Sequence, residues 1–304
     1  MKEYLDLIDE RFPIRNSKEE KAVFRAWALG EAAGRAEENE GHVNLVFGDP
    51  DSARVIFTAH YDTPRRGLLP NLMLVTNPAL AWTYRLGTIL LLILAPSLAA
   101  AWGVWKLLDL DWALMSHRLL LLGVYTAVYF GLFYLFFRGP ANRRNRNDNT
   151  SGAAAVLALA ADAWPGTACI LFDDEEKGKK GSKAFCKDHP EIGENTLIVN
   201  LDCVGNGDTF ILCGTAAAEE DPLYPVLQQA MADSGFSHRF CPAGKASMNS
   251  DQKSFDKGVG VCACRYKPLV GYYTDRIHTA RDTVADAETV SRLAVALAAF
   301  AERI

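Results

Sequence analysis

RVIFTAHYD, residues 54–62, gives the clearest indication of the architecture of this chain. Residues 54–59 form a dense, mainly apolar run, which is typical of a strand buried on both faces of an α/β sheet. Two polar side chains, His60 and Asp62, follow directly at its end. In open α/β sheets, reactive residues gather in the loops at the carboxyl ends of strands. The stretch therefore predicts an α/β domain with a polar site beside this strand.

Strands and helices alternate on both sides of this stretch. Ser17 and Glu20 form a capping box at the start of a predicted helix, and Gly34 is predicted to end it. Further strands are predicted at 43–47, 167–172, 197–202, 209–213 and around 259, and further helices at 152–164, from 182, at 222–234 and at 285–303. This alternation predicts a mostly parallel central sheet flanked by helices.

Two long apolar runs interrupt the pattern. Residues 86–105 (LGTILLLILAPSLAAAWGVW) and 119–137 (LLLLGVYTAVYFGLFYLFF) contain no charged residue. At 1.5 Å per residue, each can cross a bilayer core of about 30 Å. We therefore predict one discontinuous domain, residues 1–68 and 142–304, with a transmembrane helical hairpin inserted at 69–141. A pair of buried core helices, or an arm for dimerisation, is the alternative.

Lysine and arginine residues predict the orientation of this hairpin. The side shared with both termini carries Arg65, Arg66, Arg85, Arg138, Arg143, Arg144 and Arg146, and the other side carries Lys106 and Arg118. The sequence thus predicts a protein of the cell membrane with two spans, whose main domain and termini face the cytoplasm. The absence of a C-x-x-C pair agrees with reduced thiols, and the N-terminal ten residues lack the apolar core of a secretory signal.

The overall charge gives little reason to expect a nucleic acid partner. The 37 acidic and 32 basic residues give a net charge of −5 and are mixed along most of the chain. A phosphate backbone requires a broad basic face, which this pattern does not provide. Self-association of the spans through Gly123, Gly131 or residues 99–101 is left open.

The candidate chemical residues are imidazoles and carboxylates placed after predicted strands or just before predicted helices. Those considered as metal ligands are His60, Asp148, Glu176, Asp202 and His278. Mixed histidine and carboxylate ligands without thiolate suit a catalytic zinc ion, with cobalt and manganese as alternatives. Taken singly, the motifs also fit a surface turn, a helix N-cap and a solvated acidic face.

Taken in order, six stretches resemble the co-catalytic zinc exopeptidase family that contains leucyl aminopeptidases, glutamate carboxypeptidase and glutaminyl cyclases. They are VIFTAHYDT (55–63), NDNTSGAAAVL (147–157), ILFDDEEKGKKGS (170–182), NLDCVG (200–205), SDQKSF (250–255) and IHTARDT (277–283). The resemblance covers essentially everything outside residues 69–141. It implies a zinc-exopeptidase-like fold and a metallo-exopeptidase, a hydrolase acting on peptides.

The resemblance also implies a role for each matching residue. Two zinc ions would be bound, one by His60 and Asp202 and the other by Glu176 and His278, with Asp148 bridging both. The remaining roles concern catalysis: Glu175 would be the general base that activates a metal-bridging water, and Asp62 would orient the His60 ring. Asp251, Tyr272 and Tyr273 are candidates for substrate or oxyanion contacts. Where the family has a histidine after Asp251, this chain has Gln252.

The leading hypothesis is a membrane-anchored aminopeptidase that removes N-terminal residues from peptides. A glutaminyl cyclase-like acyltransferase with one zinc ion, or a non-catalytic membrane scaffold, is the alternative. Because the hairpin leaves the domain after the His60 motif and returns before Asp148, we expect the site to lie near the membrane. That position favours hydrophobic or membrane-associated peptides, unless the hairpin is only an anchor.

Overall fold

The computed structural model of the chain describes residues 2–67, 71–137 and 139–304. Ten strands lie within these residues and form one sheet. They are β1 (Gly34–Asn39), β2 (His42–Phe47), β3 (Val55–His60), β4 (Asn71–Leu74), β5 (Thr167–Phe172), β6 (Leu197–Leu201), β7 (Thr209–Gly214), β8 (His238–Cys241), β9 (Gly258–Lys267) and β10 (Gly271–Ile277). The predicted α/β class, a central sheet flanked by helices, is confirmed.

The helices connect these strands or leave the sheet. They are α1 (Lys2–Arg11), α2 (Lys18–Glu31), α3 (Pro78–Ile89), α4 (Ala95–Leu107), α5 (Met115–Phe137), α6 (Gly152–Asp162), α7 (Lys180–Asp188), α8 (Pro190–Asn195), α9 (Ala216–Glu219), α10 (Tyr224–Asp233) and α11 (Ala287–Ala301). A π-helical turn, Leu90–Leu94, joins α3 to α4, so these elements form one continuous helix.

The centre of the sheet is parallel. Its main path runs β1-β2-β5-β3-β6-β9-β10-β4, and β7 and β8 branch from β9. Strands β5, β3, β6 and β9 run parallel to one another. Strands β2 and β1 on one side, and β10 and β4 on the other, are added by antiparallel pairing. The carboxyl ends of β3, β5 and β6 therefore lie together at one edge of the sheet.

Both faces of the sheet are covered, which explains the apolar character of β3. Phe57 belongs to the larger core cluster, together with Leu157 of α6 and Phe300 of α11. Its neighbour Ile56 points to the opposite face, into a smaller cluster that includes Phe185 of α7. Every residue of β3 is buried. Full burial of one such large apolar side chain stabilises the fold by about 1.5–3 kcal/mol.

One predicted helix end is wrong. The capping box of Ser17 and Glu20 is present, but the helix stops at Glu31, and Gly34 is the first residue of β1. A Cβ atom at Gly34 would lie only 2.5 Å from the Phe47 ring. The glycine therefore permits close pairing of β1 with β2, and it does not terminate the helix.

The two apolar runs form long, mostly exposed helices. Pro78–Leu107 spans 30 residues and Met115–Phe137 spans 23 residues, and both are long and apolar enough to cross a membrane. They pack against each other through α4 and α5, and few of their side chains are buried. They are therefore not core helices of the α/β domain.

The inserted segment also contributes to the sheet, which the sequence did not indicate. Strand β4 pairs antiparallel with β10, so the Met73 position lies opposite Thr274. The insertion thus begins as part of the sheet before it becomes a hairpin. The predicted boundary at residue 69, and Arg138 at the end of the second run, lie outside the described residues.

Candidate active site

The ends of the central strands place the predicted residues in one cavity. His60 is the last residue of β3, Glu176 lies in the loop after β5, and Asp202 directly follows β6. Asp148 comes from the turn before α6, and His278 follows β10. These five side chains and that of Glu175 line a cavity of about 150 Å³. The fold therefore brings together all of the predicted metal ligands and the predicted base.

The ligand atoms form two groups that share one carboxylate. On one side, His60 Nε2 lies 3.4 Å from Asp148 Oδ1 and 3.8 Å from Asp202 Oδ1. On the other side, His278 Nε2 lies 3.0 Å from Asp148 Oδ2 and 3.4 Å from Glu176 Oε1. Each group has three donors within reach of one ion. The two oxygens of Asp148 thus face two separate candidate metal positions.

Four carboxyl groups crowd the lining of this cavity. Burial, together with the nearby Asp251, Glu176 and Asp202 carboxylates, raises the pKa of Glu175 well above its ordinary value. Burial and the charge of Asp148 raise the pKa of Glu176 to about 8. Crowded buried carboxylates of this kind repel one another unless a cation lies between them. Divalent cations would remove that repulsion.

The state of Asp202 fits a metal ligand. Its Oδ1 atom is buried and has no hydrogen-bond partner among the described residues. A buried carboxylate oxygen without a partner is costly, because its hydration is lost and not replaced. Two imidazoles with carboxylates and no thiolate are the donor set that catalytic zinc prefers. The residues present therefore fit zinc.

Comparison with known proteins supports the same assignment. The model of peptidase family M28 matches residues 146–301, just over half of the chain. The chain belongs to peptidase family M28. The resemblance to the zinc exopeptidases is thereby confirmed, and the protein is a metallo-exopeptidase of the hydrolase class.

Solved structures share the M28 fold. A Zn-dependent exopeptidase from Parabacteroides distasonis aligns over 97% of this chain and 94% of its own, with 16% identity and a TM-score of 0.59. The LapA aminopeptidase of Legionella pneumophila aligns over 98% and 69%, with 14% identity and a TM-score of 0.56. A glutaminyl cyclase from Bacteroides thetaiotaomicron aligns over 100% and 95%, with 13% identity and a TM-score of 0.55. No curated protein sequence matches the chain.

In this M28 site, Asp62 lies beside the His60 ring and also contacts the loop after β5. The Asp62 carboxylate lies 3.4 Å from His60 Nδ1. The backbone oxygen of Asp62 is closer to the same nitrogen, at 3.1 Å. The same carboxylate accepts hydrogen bonds from the backbone amides of Glu175, at 3.0 Å, and Glu176, at 3.2 Å. Asp62 therefore ties the loop that carries the base to the strand that carries His60.

Two further residues that position the site were not predicted. Asp282 accepts hydrogen bonds from the backbone amides of Asn147, at 2.9 Å, and Asp148, at 3.0 Å. Asp282 lies within the IHTARDT stretch, which indicates the family but does not indicate these hydrogen bonds. Arg15 is fully buried and donates hydrogen bonds to the Tyr61 backbone oxygen and the Thr150 hydroxyl. No local sequence signal distinguishes this arginine.

The acidic residues just before the base are engaged elsewhere. Lys21 of α2 lies 2.6 Å from Asp173 and 2.8 Å from Asp174, and all three are buried. His42 Nδ1 lies 2.9 Å from the second oxygen of Asp174. These contacts attach α2 and β2 to the loop after β5. The pair therefore supports the loop and is not part of the metal cavity.

The structure does not bring the predicted substrate contacts into the cavity. Tyr272 and Tyr273 lie on β10. Tyr272 packs against Tyr266 at 5.1 Å between ring centroids, and neither tyrosine lines the described part of the cavity. Asp251 is completely buried and is not among the described lining residues, and burial raises its pKa to about 7. Pairing of β10 with β9 sets Tyr272 opposite Tyr266 and Tyr273 opposite Arg265.

Proposed function

We propose that this M28 protein is a membrane-anchored aminopeptidase with two zinc ions. The observation that carries the proposal is the position of Asp148, whose two oxygens face two separate imidazole and carboxylate groups. One zinc ion would be held by His60, Asp148 and Asp202. The other would be held by Asp148, Glu176 and His278. Bound there, the two ions would lower the pKa of a water molecule and polarise the scissile carbonyl.

Glu175 is the residue proposed to move the proton. Its side chain lines the same cavity as the ligands. Its backbone amide donates a hydrogen bond to the Asp62 carboxylate, which fixes the position of the residue. A carboxylate in this position can accept a proton from water and return it to the leaving amine. Glu176, its neighbour, donates to the Asp62 carboxylate through its own amide, and its side chain faces His278. The adjacent acids thus have separate tasks.

The test of this function is hydrolysis of matched peptides by detergent-purified protein. We expect cleavage of a peptide with a free N-terminus, no cleavage of the N-acetylated peptide, and loss of activity after a chelator removes the metal. Readdition of zinc should restore activity. Cleavage of both peptides from the C-terminal side would replace the aminopeptidase assignment with a carboxypeptidase. Cyclisation of N-terminal glutamine without hydrolysis would support the cyclase alternative.

Membrane anchoring is the second part of the proposal. The exposed faces of Pro78–Leu107 and Met115–Phe137 are apolar, and apolar patches of this size are normally covered by lipid or protein. Arg65, Arg66 and Arg143 are exposed at the base of the hairpin, where basic residues favour the cytoplasmic side. This arrangement supports the proposal that the metal site lies on the cytoplasmic side, near the membrane surface.

Reporter fusions would measure this topology. We expect alkaline phosphatase inserted between Lys106 and Arg118 to be active, and a fluorescent protein at the C-terminus to fluoresce, because the two positions lie on opposite sides of the membrane. Replacement of residues 78–137 by a short glycine and serine linker, which keeps β4, should move the protein from the carbonate-resistant membrane fraction to the soluble fraction. Recovery of the intact chain in the soluble fraction would contradict the proposal.

A further inference from the structure

Arg85 is an unusual residue in the first apolar helix. It is the only charged residue between Pro78 and Trp105, and an arginine beside a membrane span most often serves orientation or headgroup contact. Here Arg85 also lines the cavity that contains Glu175 and the candidate metal ligands. The inserted helix therefore supplies a wall of the active site, as well as an anchor.

The Arg85 guanidinium is available to a ligand. It forms no hydrogen bond or ion pair with any residue of 2–67, 71–137 or 139–304, and it is exposed. The described lining of this cavity contains few other ionisable side chains. They are the five proposed ligands, Glu175 and the thiol of Cys203. Arg85 is thus the one permanent cation there, and no carboxylate in the described lining is left for a substrate ammonium group.

The neighbouring cavity also contains basic side chains. It has a volume of about 310 Å³, shares Glu176 and His278 with the metal site, and is lined in addition by Arg65 and Lys177. Lys177 is paired with Asp174 at 2.8 Å, but Arg65 makes no ion pair with a described residue. Cationic groups therefore flank the candidate metal centre on both sides, which favours an anionic group on the substrate.

We propose that Arg85 binds a carboxylate of the peptide substrate, and so restricts the enzyme to peptides with a carboxylate close to the scissile bond. The proposal rests on the peptidase function proposed above. A guanidinium can bind both oxygens of a carboxylate with parallel hydrogen bonds. An extended peptide advances about 3.5 Å per residue. Because Arg85 lines the same cavity as the candidate ligands, the carboxylate would lie one or two residues from the scissile bond.

Two sources of that carboxylate fit the chemistry. It is either the free α-carboxylate of a dipeptide or the side-chain carboxylate of an acidic residue just after the scissile bond. Three substrates separate them: leucyl-alanine, leucyl-alanine amide, and leucyl-aspartate α-amide. All three have the same N-terminal residue, so that differences between them report on the carboxylate alone.

The experiment uses three variants, which are Arg85→Gln, Arg85→Lys and the control Arg118→Gln. Arg118 is the same residue type on the same hairpin, and it is exposed at the opposite end. We expect Arg85→Gln to raise KM for the carboxylate substrate about 10- to 100-fold, the usual value of a charge-assisted hydrogen bond. The KM for the amide substrate should change little, and so should kcat for the carboxylate and amide substrates. Arg85→Lys should keep part of the preference for the carboxylate substrate. Arg118→Gln should show none of these effects.

Binding measurements distinguish failure of this inference from failure of the peptidase assignment. Calorimetry with Glu175→Gln and with Glu175→Gln/Arg85→Gln, both zinc-loaded, gives Kd for the same peptides without turnover. Weaker binding of the carboxylate peptide in the double variant supports the inference even if no peptide is hydrolysed. Normal hydrolysis with equal kcat/KM for carboxylate and amide, or equal losses on both in Arg85→Gln, overturns the inference and leaves the peptidase assignment intact.

Discussion

Glu175→Gln is expected to lower kcat for peptide hydrolysis by about 10²–10⁴-fold, the usual contribution of a general acid and base. Glutamine keeps the size of the side chain but cannot accept the proton. Glu175 is not among the proposed ligands, so the zinc content should stay the same. The measurement pairs kcat with elemental analysis of the dialysed protein. A large loss of kcat at unchanged metal content would assign proton transfer to this residue.

The matched control is Glu38→Gln. Glu38 is exposed on β1 and is not among the described residues that line the cavity. The kcat of this variant should therefore equal that of the parent protein. If Glu175→Gln retained more than about a tenth of the parent kcat, proton transfer would belong to another group. If it lost zinc together with activity, Glu175 would be a metal ligand instead.

Asp148→Ala is expected to remove zinc from both positions and to reduce hydrolysis below detection. Only this carboxylate belongs to both ligand groups. Asp202→Ala and His278→Ala should each weaken one position and leave the other occupied. Zinc per chain should therefore fall from about two to near zero in Asp148→Ala and to about one in the other two variants. Equilibrium dialysis followed by elemental analysis measures these values.

The folded state of the Asp148 variant must be checked, because the residue is buried and Asp282 holds its backbone amide. Asp148→Asn is the conservative companion, since it preserves the volume and removes the charge. Circular dichroism and size-exclusion chromatography on both variants separate loss of metal from loss of fold. A parent protein that binds a single zinc ion, or an Asp148→Ala protein that keeps one, would favour a one-metal site such as that of the cyclase alternative.

The inserted segment contributes to the sheet and to the cavities of the candidate active site. Strand β4 extends the sheet through β10, Arg85 lines the metal cavity, and Phe137, at the end of the second apolar helix, lines the adjacent one. The hairpin therefore adds side chains to the substrate cavities at its base. This arrangement supports the expectation that the site lies near the membrane. The cation that it adds favours the charged substrate inferred above over the hydrophobic peptides expected from the sequence.

The sequence alone determined the features that depend on local pattern. The buried strand at 54–59 could be recognised because a strand covered on both faces must be apolar throughout. The two apolar helices could be recognised by length and absence of charge. The Ser17 and Glu20 capping box involves residues three positions apart, so its geometry is fixed within one helical turn. The order of the motifs indicated the zinc peptidase family before any distance was known.

The tertiary structure alone decided which of these side chains meet. Whether Asp148 faces both imidazoles depends on how β3, β10 and α6 pack, and those elements are far apart in the sequence. The same packing gave Asp62 its hydrogen bonds to the loop of the base and held Tyr272 away from the cavity. It also placed Arg85 in the cavity wall. Such contacts arise from long-range packing, which no periodicity or local spacing records.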